Sequence, residues 1–294
     1  MGRCLSGVVL FIYLLLQIQG GLSAAWRIAG DAGRLSVFKF DFDLNNPTTF
    51  WAGTANAFFI GMAVFGTDQE LMQRLLTVKT RKASQKTIIS TILVGLPVLC
   101  IYLGIGTLLY VFYQQNPGLP APEKTKEVFS HFVSNYLPVG LKGLMLSAII
   151  LASIDSPLSS LSSSFVTDIY RPLINKSATE KHYLFISRIG IVAFGLVLAI
   201  IAFACEPVVN VLWFAFEIIS LTGGATLGIF LLGVLTKCKS NFGNVAAMII
   251  STLSMTTLLL LSHGGYIKLA WSWLIVAGTV MTLALGYVFS RFTK

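Results

Sequence analysis

The chain alternates between long apolar stretches and short polar connections along almost its whole length. Each apolar stretch has about 20 residues, the length that an α-helix needs to cross the roughly 30 Å hydrocarbon core of a bilayer. The pattern predicts an all-α polytopic membrane protein with about eight transmembrane helices. The predicted spans are Leu5–Trp26, Phe50–Phe65, Thr87–Tyr113, Gly143–Val166, Tyr183–Cys205, Val208–Leu235, Val245–Leu261 and Ile267–Phe289.

Composition agrees with this pattern, because 55% of the 294 residues are apolar and only 11% are charged. Soluble domains carry about 25% charged residues, so the side chains for a water-facing surface are missing. This excludes a soluble enzyme, a disulfide-rich secreted domain and a nucleic-acid-binding domain. The four cysteines and three histidines have no metal-ligand spacing, and no catalytic group of His, Cys and carboxylates converges, so we predict no enzyme and no catalytic residue.

The distribution of positive charge predicts the orientation of the chain in the membrane. If the first span runs outward, 14 of the 21 Lys and Arg residues lie on the inner side. Loops rich in Lys and Arg stay in the cytoplasm. We therefore predict a multi-pass protein of the cell membrane with both termini in the cytoplasm, and the net charge of +9 is not a sign of nucleic-acid binding.

The first span has two interpretations. Arg3, the apolar run Val8–Leu16 and the small residues Ser23–Ala25 also resemble a secretory signal peptide. We favour a retained transmembrane helix because the apolar character continues to Trp26. Both interpretations place Arg27–Thr49 on the outer side.

Two connections are longer than tight turns. Gln114–Leu141 is predicted to be an outer loop that ends in an amphipathic helix over Lys124–Tyr136, because its apolar residues recur at helical spacing. Arg74–Lys86 is a strongly basic inner loop, which we expect to face the phospholipids of the bilayer.

The fourth span is the most polar one, with eight serines among the 18 residues Ser147–Ser164 and with Asp155 and Pro157 near its middle. Serine hydroxyls and carbonyls freed near a proline are hard oxygen ligands that suit an alkali cation. Close packing of helices through small residues is the alternative. Asp155 favours the ion, because packing needs no carboxylate. Four of the serines recur at helical spacing and so share one face of the predicted helix: Ser153, Ser156, Ser160 and Ser163.

Two other spans carry polar groups at membrane depth. Phe50–Gln73 contains three glycines and predicts a broken helix, a feature with which transporters hold solutes. Asp68 could equally lie at a cytoplasmic helix end. Glu217 is an intramembrane carboxylate that indicates a functional site, with pairing to a structural Arg or Lys as the alternative. We predict the helix break and a gating role at Gly66, Thr67, Asp68 and Gln69.

Three segments resemble the sodium/solute symporter family, the sodium-coupled transporters of sugars, proline, sialic acid and monocarboxylates. Gly66–Leu76 resembles the family's G-T-D-Q-x-x-x-Q-R element, and Ser153–Tyr170 resembles its serine-rich helix with a T-x-D-I-Y ending. Thr222–Gly233 resembles its G-x-x-L-G-x-F-L-L-G helix. The three segments occur in the family's order, and the resemblance covers most of Phe50–Ala247.

The resemblance implies a partial five-plus-five inverted-repeat fold. Residues 1–48 would be the last helix of the first repeat with an outer loop, 49–236 the second repeat, and 237–294 two additional C-terminal helices. The chain would then be a C-terminal fragment, whose missing N-terminal helices supply the other half of the sodium ligands. The first span also lacks the Asp that family members often carry.

The resemblance also implies a sodium site and a solute site. The sodium ligands would be the Ile149 carbonyl, Ala152 and Ser153, with Asp155 or Ser156 compensating for the missing hydroxyl at Ala152. The solute would contact Gly61, Val64, Phe65, Phe216 and Glu217.

The function implied is sodium-coupled secondary active symport of a small organic solute, with the sodium ion as the coupling ion. The alternative is a truncated, non-transporting membrane subunit or sensor derived from a symporter.

Overall fold

Helices dominate the computed structural model, which describes residues 2–36, 38–120, 122, 124–236 and 241–292. The side chains of residues 2–5, 69–70, 73–74, 151–156 and 292 lie outside this description. A π-helical segment, Phe165–Ile174, and two 3₁₀ turns, Thr125–Glu127 and Trp271–Trp273, join the α-helices. The described α-helices are α1 (Gly2–Gln17), α2 (Gly21–Asp31), α3 (Phe50–Thr67), α4 (Gln69–Leu76), α5 (Arg81–Gln115), α6 (Val128–Tyr136), α7 (Val139–Ser164), α8 (Glu180–Ala204), α9 (Val211–Leu235), α10 (Asn241–His263) and α11 (Leu274–Phe292).

Six of the described helices are long and apolar enough to cross a membrane, and seven if α1 and α2 together make one bent span. The six are α3, α5, α8, α9, α10 and Trp271–Arg291, which contains most of α11. The N-terminal part of α7, Val139–Ile150, is a further apolar stretch beside the residues whose side chains are not described. The prediction of an all-α polytopic membrane protein is confirmed.

The prediction of a single helix over Leu5–Trp26 is wrong, because α1 and α2 meet at an angle of 88°. Gly20 and Gly21 adopt φ values of 84° and 60° at the bend. This left-handed backbone costs glycine little and other residues about 1–2 kcal/mol. Gln115 fastens the bend, since its Nε2 donates to the Gln19 carbonyl at 2.9 Å and its Oε1 accepts from the Gln19 N–H at 3.0 Å.

The chain forms two compact units. The first comprises Met1–Ser36 and Leu75–Val209, and the second comprises Val37–Arg74 and Asn210–Lys294. Each unit therefore combines segments that are distant in sequence. The assignment of the helices to inverted repeats stays a prediction.

In the first unit, α1 packs along α5, and α6 packs against α5 and α7. Leu10 and Leu14 of α1 are buried against Ile105 and Leu108 of α5 in one continuous apolar cluster. The predicted amphipathic helix is confirmed as α6, in which Phe132 and Val133 are fully buried. Burial of one face of α6 explains why its apolar residues recur at helical spacing.

In the second unit, α9 lies against α3, α10 and α11. Glycines make the contact between α9 and α11 close: a Cβ atom on Gly224 would lie 2.9 Å from the Ile275 carbonyl oxygen. One turn later, a Cβ atom on Gly228 would lie 2.6 Å from the Thr282 Cβ. Small residues that let two backbones approach are the usual contact between membrane helices, where lipid supplies no hydrophobic force for association.

Candidate functional site

The interruption after the third helix lies at a single residue. α3 runs without a break through Gly61 and Gly66, and the backbone becomes extended only at Asp68, with φ −72° and ψ 122°. The Asp68 carboxylate accepts a hydrogen bond from the Leu71 N–H at 3.0 Å and so caps the short helix α4. Thr67 donates to the Ala63 carbonyl at 2.7 Å inside α3. The structure thus gives Asp68 a capping role, the side chain of Gln69 lies outside the described residues, and gating by this segment stays a prediction.

Contacts between α3 and α9 show which residues of the two helices lie at the same level along the helix axes. Asn56 lies opposite Ser220, and further along the pair Gly66 lies opposite Phe230, so the two helices run parallel. Phe216 therefore lies about one turn before the level of Asn56, since a turn has 3.6 residues.

The two halves of the predicted solute site lie at different levels of this helix pair. Val64 and Phe65 lie a little more than two turns beyond Asn56, whereas Phe216 and Glu217 lie about one turn before it, a separation of roughly 16–20 Å along the axis at 1.5 Å per residue. Gly61 lies between the two levels, and a Cβ atom there would meet nothing within 4 Å. The structure does not bring these five residues together around one point.

An aromatic cluster surrounds Phe216. Its ring stacks on the Trp271 ring with centroids 5.8 Å apart and an interplanar angle of 2°. Trp213 completes the cluster, 5.5 Å from Trp271 and 6.2 Å from Phe216. Phe216 therefore holds α9 against the 3₁₀ turn before α11, a role that the sequence did not indicate.

Glu217 has a partner in the structure. Its Oε1 lies 3.4 Å from Nε2 of His263, at the end of α10. The Glu217 side chain is 13% exposed and that of His263 is 59% exposed, so the carboxylate is the more enclosed member of the pair. The alternative of a structural partner is thus realised by a histidine rather than by Lys or Arg.

A buried polar cluster that the sequence analysis missed lies between these levels. Asn56 Nδ2 donates to the Ser272 carbonyl at 3.0 Å and to Ser220 Oγ at 3.4 Å. All three residues are buried. Within the described part of the chain, Ser272 Oγ has no hydrogen-bond partner. An asparagine in the middle of an apolar helix was the sequence signal that could have indicated this cluster.

The predicted sodium site lies on α7, which is continuous through Pro157. The side chains of four of its five predicted residues, Ala152, Ser153, Asp155 and Ser156, lie outside the described residues. The fifth, Ile149, lines a cavity of about 120 Å³ together with Ser6 of α1 and Tyr102 of α5. Among the described residues, no group of three or more His, Cys, Asp or Glu could hold a metal ion.

At the end of the same helix, one serine is used for packing. Ser162 is fully buried, and its hydroxyl donates to the Ser187 carbonyl of α8 at 2.6 Å. A Cβ atom on Gly190 would lie 2.8 Å from Ser162 Oγ, so only glycine fits there at this spacing. The packing explanation that the sequence offered for its serines therefore applies to Ser162.

Comparison with known proteins agrees with this architecture. The model of the sodium:solute symporter family matches residues 6–251. The sodium/sialic acid symporter SiaT of Proteus mirabilis is 30% identical over 274 residues, which are 86% of this chain and 53% of that protein. The sodium-coupled monocarboxylate transporter 2 of Danio rerio is 27% identical over 258 residues, 83% of this chain and 40% of that protein.

A solved structure of a Na⁺-coupled sialic acid symporter, in a substrate-bound outward-open state, has the same fold. It superposes with a TM-score of 0.80 and 24% sequence identity, covering 100% of this chain and 60% of that one. The chain spans about half the length of the curated relatives it matches.

The chain therefore belongs to the sodium:solute symporter family. It is a multi-pass membrane protein, and the family resemblance seen in its sequence is confirmed. The relatives are named as transporters and not as enzymes.

Proposed function

We propose that the chain takes part in sodium-coupled symport of a small organic solute across a membrane. The observation that carries this proposal is the family match over residues 6–251. The relatives are named for sialic acid, multivitamin and monocarboxylate transport, so a small organic acid is the first class of solute to test.

The proposed sodium site lies on α7, at the Ile149 carbonyl, Ala152 and Ser153, with Asp155 and Ser156 nearby. Support comes from Pro157, which has no N–H and so cannot donate to the carbonyl of Ser153, four residues earlier in a continuous helix. The Ser153 carbonyl therefore lacks this helical hydrogen bond, and binding an ion is one way to satisfy it.

For the solute, we propose contacts with Gly61, Val64 and Phe65 of α3. Phe216 and Glu217 lie at another level of the α3–α9 pair, and we propose that they contact the solute as it enters or leaves. Sodium drives such a cycle only if it binds the outward-facing and inward-facing states with different affinity. The rocking of one part of the protein against another around a fixed site would then carry the sodium ion and the solute across the membrane.

The test is uptake of sialic acid and of a radiolabelled monocarboxylate into vesicles that contain a version of the protein extended to the length of its relatives. We expect uptake with an inward Na⁺ gradient and none when K⁺ replaces Na⁺. Ser153→Ala should weaken the apparent Na⁺ affinity about tenfold, the effect of losing one oxygen ligand to a charged group.

Ser147→Ala is the matched control, because the Ser147 hydroxyl is exposed and bonds to the Gly143 carbonyl of its own helix. It should leave the Na⁺ dependence unchanged. Uptake that is equal in Na⁺ and K⁺ would contradict the proposal. Na⁺ binding without any flux would favour the non-transporting subunit or sensor.

A further inference from the structure

A small cavity lies where the π-helical segment Phe165–Ile174 joins α7 to α8. Its volume is about 210 Å³. Sites for drug-sized molecules occupy about 300–1,000 Å³, so this cavity suits a compact chemical group rather than a whole solute. Its polar lining comprises Ser163, Thr167, Arg171, Glu180, Tyr183 and Ser187.

Arg171, which lines this cavity, lies against an aromatic ring. Its guanidinium carbon lies 5.1 Å from the centre of the Tyr183 ring. Tyr183 is buried, and its hydroxyl donates to the Asn175 carbonyl at 2.7 Å, which fixes the ring. Stacking on a ring face uses none of the five N–H donors of arginine, so they remain available for an oxygen-rich anion.

Glu180 is the competing group in the cavity. Its Oε1 lies 3.7 Å from Nη2 of Arg171, and the two side chains are 78% and 56% exposed. Exposed ion pairs of this kind contribute little, about 0–1 kcal/mol, so a phosphate group can displace this one. A carboxylate so close to the arginine should still weaken the binding of any anion.

The surface around the cavity has the composition of a membrane interface. The aliphatic side chains of Leu173, Ile174 and Leu184 are exposed beside it, Leu173 by 76%. Basic residues follow at Lys176, in the connection, and at Lys181, in the first turn of α8. Aliphatic side chains beside clustered Lys and Arg at the end of a transmembrane helix attract anionic lipid, with the acyl chains on the apolar part and the headgroup on the basic part.

We propose that this cavity binds the phosphate group of an anionic phospholipid. Arg171 donates to the phosphate oxygens, and the acyl chains lie along Leu173 and Leu184. The site does not depend on the proposed transport function, and a failure of either proposal leaves the other standing.

The experiment titrates the detergent-purified chain with phosphatidylglycerol or phosphatidylcholine and counts the bound lipid by native mass spectrometry. We expect tighter binding of phosphatidylglycerol. Arg171→Gln should weaken that binding about fivefold, the effect of one basic residue near an anionic surface. Glu180→Gln should strengthen it, because the competing carboxylate is gone.

Arg81→Gln is the matched control, since Arg81 is exposed at the start of α5, carries the same charge and does not line the cavity. An equal loss in Arg81→Gln and Arg171→Gln would overturn the proposal, because diffuse surface charge would then explain the binding. Unchanged binding in Glu180→Gln would also overturn it, whether or not Arg171→Gln keeps its fold. Displacement of the lipid by inorganic phosphate at similar concentration would assign the cavity to a free anion instead.

Discussion

Asn56 shows what one polar side chain does inside an apolar membrane helix. Its amide group contacts Ser220 and the Ser272 carbonyl, two partners more than 150 residues away in sequence. Without such partners, a polar amide at membrane depth would remain unsatisfied, since lipid offers no hydrogen bonds. Glu217 has the same need, and His263 meets it.

Replacing Asn56 by alanine should destabilise the second unit. The change removes both hydrogen bonds and leaves the buried Ser272 carbonyl without this donor, so we expect a loss of about 1–2 kcal/mol, which lowers the melting temperature by several degrees. Thermal unfolding in detergent measures the effect. Thr54→Ala, an exposed change on the same helix, should leave the melting temperature nearly unaltered, and equal effects of the two would show that the Asn56 bonds add nothing.

At the scale of the elements, glycines determine how closely helix α9 packs against α11. The motif Thr222–Gly233 resembled a family signature in sequence, and the structure shows the physical reason for two of its glycines. At Gly224 and Gly228, an added Cβ atom would lie within 3 Å of atoms of α11. The small residues thus set the distance between two helices rather than marking a flexible point.

Gly228→Ala should disrupt the α9–α11 contact. The new methyl group would lie 2.6 Å from the Thr282 Cβ and 2.9 Å from the Thr279 carbonyl oxygen, too close without moving a helix. We expect destabilisation of about 1–3 kcal/mol, measured by thermal or chemical unfolding. Gly233→Ala is the control on the same helix, because nothing lies within 4 Å of its added Cβ. A Gly228→Ala protein as stable as the control would contradict close packing here.

For the whole molecule, the orientation in the membrane is set by charge. The loops that we predict to lie on the inner side carry 14 of the 21 Lys and Arg residues, and loops rich in Lys and Arg tend to remain in the cytoplasm. The fold alone does not distinguish the two sides of the membrane. Orientation is therefore a property that labelling must test.

Single cysteines at positions 124 and 79 test this orientation. We expect Lys124→Cys to react with a membrane-impermeant maleimide on intact cells, and Lys79→Cys to react only after permeabilisation, because Lys79 lies in the basic loop. The background is a chain without its native cysteines, Cys4, Cys100, Cys205 and Cys238. The reverse labelling pattern would show that the basic loop faces outward and would contradict the predicted orientation.

The sequence by itself determined the helical membrane architecture and the family. Hydropathy over about 20 residues is a local property, and a bilayer leaves a chain few alternatives to helices. The amphipathic helix α6 was predictable for the same reason, since its apolar residues, which include the buried Phe132, recur with the helix period.

Only the tertiary structure decided which polar residues meet. The pair Glu217–His263 and the cluster around Asn56 join different helices, and nothing in the spacing of their residues indicates the partners. The level of Val64 relative to Phe216 depends on the axial register of α3 and α9, which close contacts such as that between Gly66 and Phe230 establish. The bend at Gly20 likewise needs a backbone angle that apolar composition does not reveal, because glycine is compatible with both a straight helix and a sharp turn.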